Sequence, residues 1–351
     1  MKGALARLLA ELNAWSSGKA EPEEGSVPQQ PGQDRPQIVI QTHDFPDHDA
    51  AASAFGLGRL LDRYGYEPLL RYRGLIRSHS LKSMISELNI PLVKVTNIVE
   101  KELLRAPCII VDGNPANANA RQVTENLFAV IDHHPGQGKT GGPPAAPPCP
   151  FADIRPGCGS CSAIIAGYWK EAGFVPDRTE STALLIGIEI DTDFLSRRVS
   201  RSDLDAFYRL FFNADWQFGA RNIKTSLSRK DLPVMELAIT NARIKKKLYF
   251  TVITVDTSQE VISILADLFL RLREISLSVI IEIQGAVRHV SVRSRDPAVS
   301  AARVIRRALE GIGEGGGHDH MAGGLLTAAI SEEKLFQRFT EAIDQEEHPS
   351  T

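Results

Sequence analysis

Residues 37–49 read QIVIQTHDFPDHD: the apolar run Ile38-Val39-Ile40 is followed by three acids and two imidazoles within His43 to Asp49. A strand with one wet face alternates polar and apolar residues, whereas a continuous apolar run marks a strand covered on both faces, as in parallel sheets. Two further runs share the pattern. Cys108-Ile109-Ile110-Val111 leads into Asp112, and Phe128-Ala129-Val130-Ile131 leads into Asp132, His133 and His134. Ligands of open α/β sheets bind outside the carboxyl ends of the strands, so these groups are expected to converge on one crevice.

Working outward, strands and helices alternate: Ile38–Gln41, a helix near 50–64, Pro68–Tyr72, a helix near 79–89, Cys108–Val111 and Leu127–Ile131. The pattern predicts an α/β fold with a doubly wound parallel sheet. Helices are expected over 161–172, 180–190, 202–213 and 231–247. A second alternation then runs through strand Tyr249–Val255, helix 258–273, strands Ser276–Ile283 and Val287–Val292, helix 298–311, a glycine cluster, strand 325–330 and a terminal helix. It predicts a second, smaller α/β domain. Upstream, Leu5, Leu8, Leu9, Leu12 and Trp15 fall at helical spacing, making a stripe suited to packing or self-association, and Glu21 to Pro36 has the composition of a linker.

A chain of 351 residues exceeds the usual single domain. Its 40 Lys+Arg against 43 Asp+Glu argue against wholesale binding of duplex nucleic acid through a basic face. Arg197-Arg198 and Lys245-Lys246-Lys247 read as solvated helix ends. No apolar run approaches the roughly 18 residues of a membrane span, Val279-Ile280-Ile281 being interrupted at Glu282. The start of the chain does not have the pattern of a secretory signal. Four cysteines fit a reducing compartment, and the expectation is a cytoplasmic protein without membrane association. Cys158-Gly159-Ser160-Cys161, with Cys149 upstream, lacks the second pair of a zinc knuckle and fits thiols near a helix start. Residues 136–150 read as a Gly/Pro-rich surface loop; Gly138-Lys139-Thr140 is not a phosphate loop, because His133 stands where that pattern needs glycine.

One more acid belongs with the crevice. In "STALLIGIEID" the residues Leu184, Ile188 and Asp191 share a helical face, so packing of the two apolar residues on the sheet would direct Asp191 inward. Asp47, Asp49, Asp112 and Asp191 in one cleft would repel one another unless counter-charge arrived, and two divalent cations cancel four carboxylates. His43 and His133 add neutral nitrogen donors. Oxygen mixed with imidazole suits Mn²⁺, with Mg²⁺, Co²⁺ or Zn²⁺ as alternatives. Such a pair activates water and clamps phosphoryl oxygens, which implies phosphoester or phosphoanhydride hydrolysis.

At these residues the chain resembles the DHH phosphoesterases, which include RecJ-type exonucleases and NrnA-type oligoribonucleases. The matching positions are His43, Pro46, Asp47 and Asp49, then Asp112, then Asp132-His133-His134, then Asp191-Thr192. "VSVRS" (290–294) with "GGGHDHMAGG" (315–324) resembles the DHH-associated C-terminal domain that grips nucleotides. The resemblance implies one ion on His43, Asp47 and Asp112 and another on Asp49, Asp112, His133 and Asp191, with Asp112 bridging. It implies His134 as phosphate donor or proton carrier, and Asp132 as the group orienting the imidazoles. Arg293, Ser294, Gly315, Gly316, Gly317 and His318 are the implied substrate-binding residues. His318, Asp319 and His320 are read as a phosphate grip and its turn, not as a metal triplet. Phe45 and His48 depart from the family pattern at positions that are not implied ligands, which bears on substrate preference; Asp44 and His48 either support the ligands or are solvated.

The implied organisation is an N-terminal helix and linker (1–36), a DHH metal-binding catalytic domain (37–200), a helical connector (201–240) and a DHH-associated substrate-binding domain (241–346), with the active site in the cleft between the two domains. The expected activity is hydrolysis of short single-stranded RNA or DNA, linear dinucleotides or small nucleotides such as 3′-phosphoadenosine 5′-phosphate, by a protein that could form a homodimer. Inorganic pyrophosphatase or exopolyphosphatase activity is the alternative, opposed by the GGGH segment. A non-catalytic nucleotide-binding protein would be expected to have broken ligand positions, and all six are filled here.

Overall fold

The computed structural model describes residues 3–17, 35–76, 78–95, 103–115, 120–134, 148–224, 227–255, 257–285 and 287–347. Most of the expected linker, residues 21–34, and most of the expected loop, residues 136–147 with Gly138-Lys139-Thr140, lie outside them. The chain divides into two compact units, Met1–Lys224 and Thr225–Thr351.

The first unit opens with α1 (Ala4–Ser17), whose Leu5, Leu8 and Leu12 are buried in the unit's core, so the N-terminal stripe is a packing face. There follow β1 (Gln37–Gln41), α2 (His48–Arg63), β2 (Glu67–Tyr72), α3 (His79–Glu87), β3 (Val93–Lys94), β4 (Pro107–Val111), β5 (Asn126–Asp132), β6 (Phe151–Ile154), α4 (Cys161–Ala172), α5 (Arg178–Asp191), α6 (Arg201–Phe211) and α7 (Trp216–Lys224). The strands form one parallel sheet in the order β3-β2-β1-β4-β5-β6. Ile38, Ile40, Ile109, Val111, Ala129 and Ile131 pack in one core with α2, α4 and α5. Val39, Cys108, Ile110 and Val130 pack in a second core with Ala106, Ala120 and Val123. Both faces being covered is the reason the strand sequences do not alternate.

The chain steps from β1 outward to β3, returns to β4 and continues outward to β6. The sheet therefore reverses winding between β1 and β4, the place where neighbouring connections diverge and open a crevice. Behind it α2 is buried nearly along its whole length. Leu57, Leu60 and Leu61 are fully buried, each stabilising by about 1.5–3 kcal/mol relative to exposure. This core gives the loops at the strand ends a rigid base.

The second unit contains α8 (Leu232–Thr240), β7 (Arg243–Lys245), β8 (Leu248–Ile253), α9 (Gln259–Phe269), β9 (Leu277–Gln284), β10 (Val287–Ser294), α10 (Ala301–Leu309), β11 (Gly313–Gly317), β12 (Met321–Leu326) and α11 (Glu332–Glu347). Its sheet, in the order β11-β12-β10-β9-β8-β7, is mixed, with β8 and β9 the parallel pair. The helix expected over 231–247 stops at its C-cap Asn241, and Lys246, at φ +52°, turns the chain between β7 and β8. The glycine cluster is strand β11, paired with β12, which starts earlier than the expected 325. The segment 201–240, read as a connector, is shared: α6 and α7 belong to the first unit and α8 to the second. Among the described residues, no helix is long and apolar enough to cross a membrane.

Candidate metal centre

The side chains of the crevice come from four places in the chain. His43 follows β1, and Asp47 caps α2 by accepting from the Ala50 N–H at 3.0 Å. Asp49 lies in the first turn of α2 and is fully buried; its two oxygens accept from the Cys161 and Ser162 N–H groups at 2.6 and 2.8 Å. Those amides belong to the start of α4, where the helix dipole favours a carboxylate. The Cys-Gly-Ser-Cys segment is thereby explained without zinc: Ser160 caps α4, and the Cys158 and Cys161 thiols are buried.

Asp112 follows β4 in the left-handed region, at φ +53°. That conformation costs a non-glycine residue on the order of 1–3 kcal/mol and persists where surrounding structure enforces it. It sets the carboxylate between two imidazoles: Oδ1 lies 3.3 Å from His133 Nε2, and Oδ2 lies 3.9 Å from His43 Nε2. His43 Nε2 is also 3.9 Å from Asp47 Oδ2. His133 Nε2 is 3.1 Å from Asp191 Oδ2 and 3.8 Å from Asp49 Oδ2. Asp191 ends α5, as its spacing from Leu184 and Ile188 predicted, both of which are fully buried. A carboxylate at the negative end of a helix dipole asks for a cation.

His133 Nδ1 lies 3.3 Å from the Cys158 carbonyl. With the proton on Nδ1, the Nε2 lone pair faces the carboxylates, the tautomer a metal ligand needs. Nε2 of His133 and Oδ1 of Asp112 are buried, face each other and make no hydrogen bond. Two such atoms leave a polar requirement that a cation would satisfy. The donor atoms fall into groups that could each hold an ion, among them His43–Asp47–Asp112 and Asp49–His133–Asp191. These residues would suit divalent cations, with the Asp112 carboxylate standing between His43 and His133.

Electrostatics agrees. Burial, then Asp112 and Asp191, push the Asp49 carboxyl well up, and burial also raises Asp112, partly offset by His133. Burial lowers His43, but Asp47, Asp112 and Asp191 outweigh it and raise its pKa to about 9. Burial likewise lowers His133, and Asp112 and Asp191 carry it well above the usual imidazole value. Near neutral pH the metal-free site therefore holds protons that a cation must displace. Divalent-metal affinity is expected to rise about tenfold per pH unit for each displaced proton, the contribution of His43 ending above about 9 where it is already neutral. Calorimetry in buffers of different ionisation enthalpy counts the protons; metal uptake without proton release near neutral pH would contradict this arrangement.

Asp132 behaves differently from its expected role. Its Oδ1 takes the His134 N–H at 3.1 Å and lies 2.8 Å from His134 Nδ1, whereas His133 is oriented by the Cys158 carbonyl. Asp132 therefore orients His134 and not both imidazoles. Although burial opposes it, His134 holds the Asp132 carboxyl below its usual value. Asp44 is buried against Arg121 at 2.6 Å, and the buried His48 places Nε2 3.0 Å from Ser80 Oγ, so neither is solvated.

The sequence reading missed Gly187 in α5, where a Cβ would lie 2.2 Å from Ser162 Oγ and 3.0 Å from Asp49 Oδ1. A glycine inside a helix costs about 0.5–1 kcal/mol relative to alanine. That cost was the available signal that another group passes close by.

In the second unit a cavity of about 410 Å³ has Arg293, Gly317 and His318 on its wall. Arg293 Nε binds Asp267 Oδ1 at 3.1 Å, and Nη1 binds Ser291 Oγ at 3.1 Å. Ser294, Gly315 and Gly316 are not part of that wall. Ser294 Oγ donates to the Asp296 carbonyl at 3.3 Å. Gly315 faces α10, where a Cβ would come within 2.9 Å of Ile305, whereas a Cβ on Gly316 would meet nothing. Alternation along β11 thus splits the glycines: one face admits a helix and the other is bare backbone. The His318 and His320 rings stack at 5.8 Å, and Asp319 accepts from the α10 cap Ser300 at 2.5 Å, so this turn braces the helix.

Residues 37–188 match the DHH family, N-terminal domain, and residues 245–347 match the DHHA1 domain. The protein MJ1633 of Methanocaldococcus jannaschii is 28% identical over 313 residues, covering 87% of this chain and 62% of that protein. The cyclic-di-AMP phosphodiesterase PdeA of Listeria monocytogenes is 28% identical over 221 residues, covering 56% of this chain and 32% of that protein. The chain spans less than two thirds of the length of each of these relatives. Among solved structures, an exopolyphosphatase-related protein from Bacteroides fragilis superposes with a TM-score of 0.74 at 17% identity, over 96% of both chains, which speaks for the fold. With both domain matches in order along the chain and the aspartates and histidines gathered at the sheet's switch point, the protein belongs to the DHH phosphoesterase family and carries a DHHA1 domain after its DHH domain.

Proposed function

We propose that the protein hydrolyses phosphodiester or phosphomonoester bonds of short oligonucleotides, linear dinucleotides or small nucleotides with the help of two divalent cations. The observation that carries the reading is the pair of ligand groups, His43–Asp47–Asp112 and Asp49–His133–Asp191, set on the two sides of the Asp112 carboxylate. Bound there, such cations supply an activated water and neutralise the oxygens of a phosphoryl group. Carboxylates mixed with imidazole suit Mn²⁺. The likeness to a cyclic-di-AMP phosphodiesterase supports a nucleotide substrate.

The chain's remaining groups have separable tasks. Asp132 fixes His134, whose side chain is 27% exposed, so the imidazole can donate to a phosphate oxygen or pass a proton to a leaving oxygen. Arg293 and His318 offer donors to an anionic ligand in the second unit. His134→Gln is expected to lower kcat about a hundredfold, the usual worth of a positioned acid or base. The metal content should stay unchanged, which separates this role from ligation.

The test is a Mn²⁺-supported substrate panel: a 5′-phosphorylated dinucleotide, short RNA, a cyclic dinucleotide, 3′-phosphoadenosine 5′-phosphate and pyrophosphate. Mononucleotide release from the dinucleotide, abolished by chelation and restored by Mn²⁺, is the expected result. Phosphate release from pyrophosphate alone would replace this reading with the pyrophosphatase one.

A further inference from the structure

The segment 158–162 makes three attachments in a row. Its Cys158 carbonyl faces His133 Nδ1 at 3.3 Å, and its Cys161 and Ser162 N–H groups hold Asp49. Between them, the Gly159 N–H and the Ser160 hydroxyl donate to Asp203 at 2.8 and 3.1 Å. The Cys158 carbonyl and the Gly159 N–H belong to one peptide unit. Such a unit is planar, and in the trans form its C=O and N–H point in opposite directions. A single rigid plate therefore has His133 at one edge and Asp203 at the other.

Asp203 does more than cap a helix. It lies in the first turn of α6 and closes a capping box with Ser200, accepting the Ser200 N–H at 2.8 Å and its hydroxyl at 2.5 Å. That motif is complete within α6, yet the carboxylate is fully buried and takes two further donors from the turn that opens α4. Ser160 in turn caps α4 by accepting from the Ala163 N–H at 3.2 Å. The plate is closely packed at Gly159, where a Cβ would lie 2.7 Å from the Arg198 carbonyl oxygen, 2.7 Å from Thr192 Cγ2 and 3.0 Å from Asp203 Oδ2.

A carboxylate that accepts from the N–H of a peptide polarises it, and the carbonyl of that peptide becomes the better acceptor. An imidazole that ligates a metal donates its other N–H to a carboxylate or a carbonyl, which fixes the tautomer and the ring orientation. Here the two supports stand in series. We propose that Asp203 is a positioning residue of the metal centre, fixing the His133 imidazole through the Cys158–Gly159 peptide in a carboxylate–peptide–imidazole chain. The inference rests on the two-cation reading above and deepens it. Asp203 touches neither cation nor substrate; its effect reaches the Asp49–His133–Asp191 group and not the His43–Asp47–Asp112 group.

Asp203→Asn isolates the charge. An oxygen in the Oδ2 position still accepts from the Gly159 and Ser200 amides, and the new NH2 can donate to the Ser160 oxygen. The control is Ser200→Ala, which removes the cap hydroxyl and leaves the peptide its carboxylate. In Mn²⁺ titrations of the full chain, Asp203→Asn is expected to weaken one of two binding steps about tenfold, the lower end of what groups supporting a metal ligand contribute, and to leave the other within about twofold. Ser200→Ala should lower the melting temperature and leave both steps within about twofold. The direct readout is the His133 Nδ1 proton, followed by NMR on metal-free protein. It should lie far downfield and exchange slowly in wild type and Ser200→Ala, and move upfield and exchange faster in Asp203→Asn. Equal behaviour of the two variants, or an unmoved resonance in Asp203→Asn, overturns the proposal. If Asp203→Asn does not fold, the wild-type Gly159 amide decides: a downfield, protected proton supports the chain, and an ordinary, rapidly exchanging one overturns it. If wild type takes up no divalent cation, the two-cation reading has failed, and the His133 proton then decides about Asp203 alone.

Discussion

Asp112→Asn is expected to give a protein that folds, binds at most one divalent cation per chain and has lost at least about a thousandfold in kcat. Among the described residues Asp112 is the carboxylate within 4 Å of both imidazoles, His43 and His133, so removing its charge weakens both ligand groups together. Asparagine keeps the shape and tolerates the φ of +53° found there. It also takes from the protonated His43 and His133 the carboxylate they share in the metal-free site, so metal-free Asp112→Asn should melt no higher than metal-free wild type while being inactive. Asp112→Ala should be equally inactive and less stable than the asparagine variant, because alanine in the left-handed region costs about 1 kcal/mol. Elemental analysis and thermal melts with and without Mn²⁺ separate these effects. An Asp112→Asn protein that keeps two ions or wild-type turnover would remove the basis for the two-cation reading.

The parts of this molecule that could be read from its sequence are those where burial leaves a one-dimensional trace. β1, β4 and β5 are covered on both faces and so appear as uninterrupted apolar runs, with acids or imidazoles placed where each run ends. Asp191 was legible through Leu184 and Ile188, because a helix repeats its face every three to four residues. The short edge elements left no such trace. β3 has two exposed residues, β6 alternates, and β7 is made of Arg243, Ile244 and Lys245. β11 consists almost entirely of glycine, a poor strand former, and is held by its pairing with β12. Backbone partners were hidden for a different reason. The Cys158 carbonyl that orients His133, and the Cys161 and Ser162 amides that hold Asp49, are groups every residue possesses, so nothing in the side-chain pattern announces them. The lysine run 245–247 shows the opposite hazard: Lys246 pairs with Asp344 at 2.8 Å, a neighbour that sequence distance conceals.

Gly187 joins these two kinds of information and gives the second large effect. In an ordinary helix interior, glycine to alanine stabilises by about 0.5–1 kcal/mol. Here the new methyl would stand 2.2 Å from Ser162 Oγ, 3.0 Å from Ser162 Cβ and 3.0 Å from Asp49 Oδ1. Neither neighbour can retreat easily. Ser162 is fully buried near the start of α4, 3.4 Å from Ser53 Oγ, and Asp49 is fastened by two amides of that same turn. α5 must then move away from α2 and α4, and it carries Asp191 with it. The displacement reaches the Asp49–His133–Asp191 group and spares His43, Asp47 and Asp112. Gly187→Ala should accordingly weaken one of two Mn²⁺ binding steps about a hundredfold, leave the other within a few-fold, and lower kcat by at least about a hundredfold, since misplacement on the scale of 1 Å carries that cost. Mn²⁺ titration followed by electron paramagnetic resonance resolves the two steps. The double variant Gly187→Ala/Ser162→Ala removes the nearest clash and should recover part of the lost affinity. Two unchanged binding steps in Gly187→Ala would show that the close approach of α5, Ser162 and Asp49 does not govern the second ligand group.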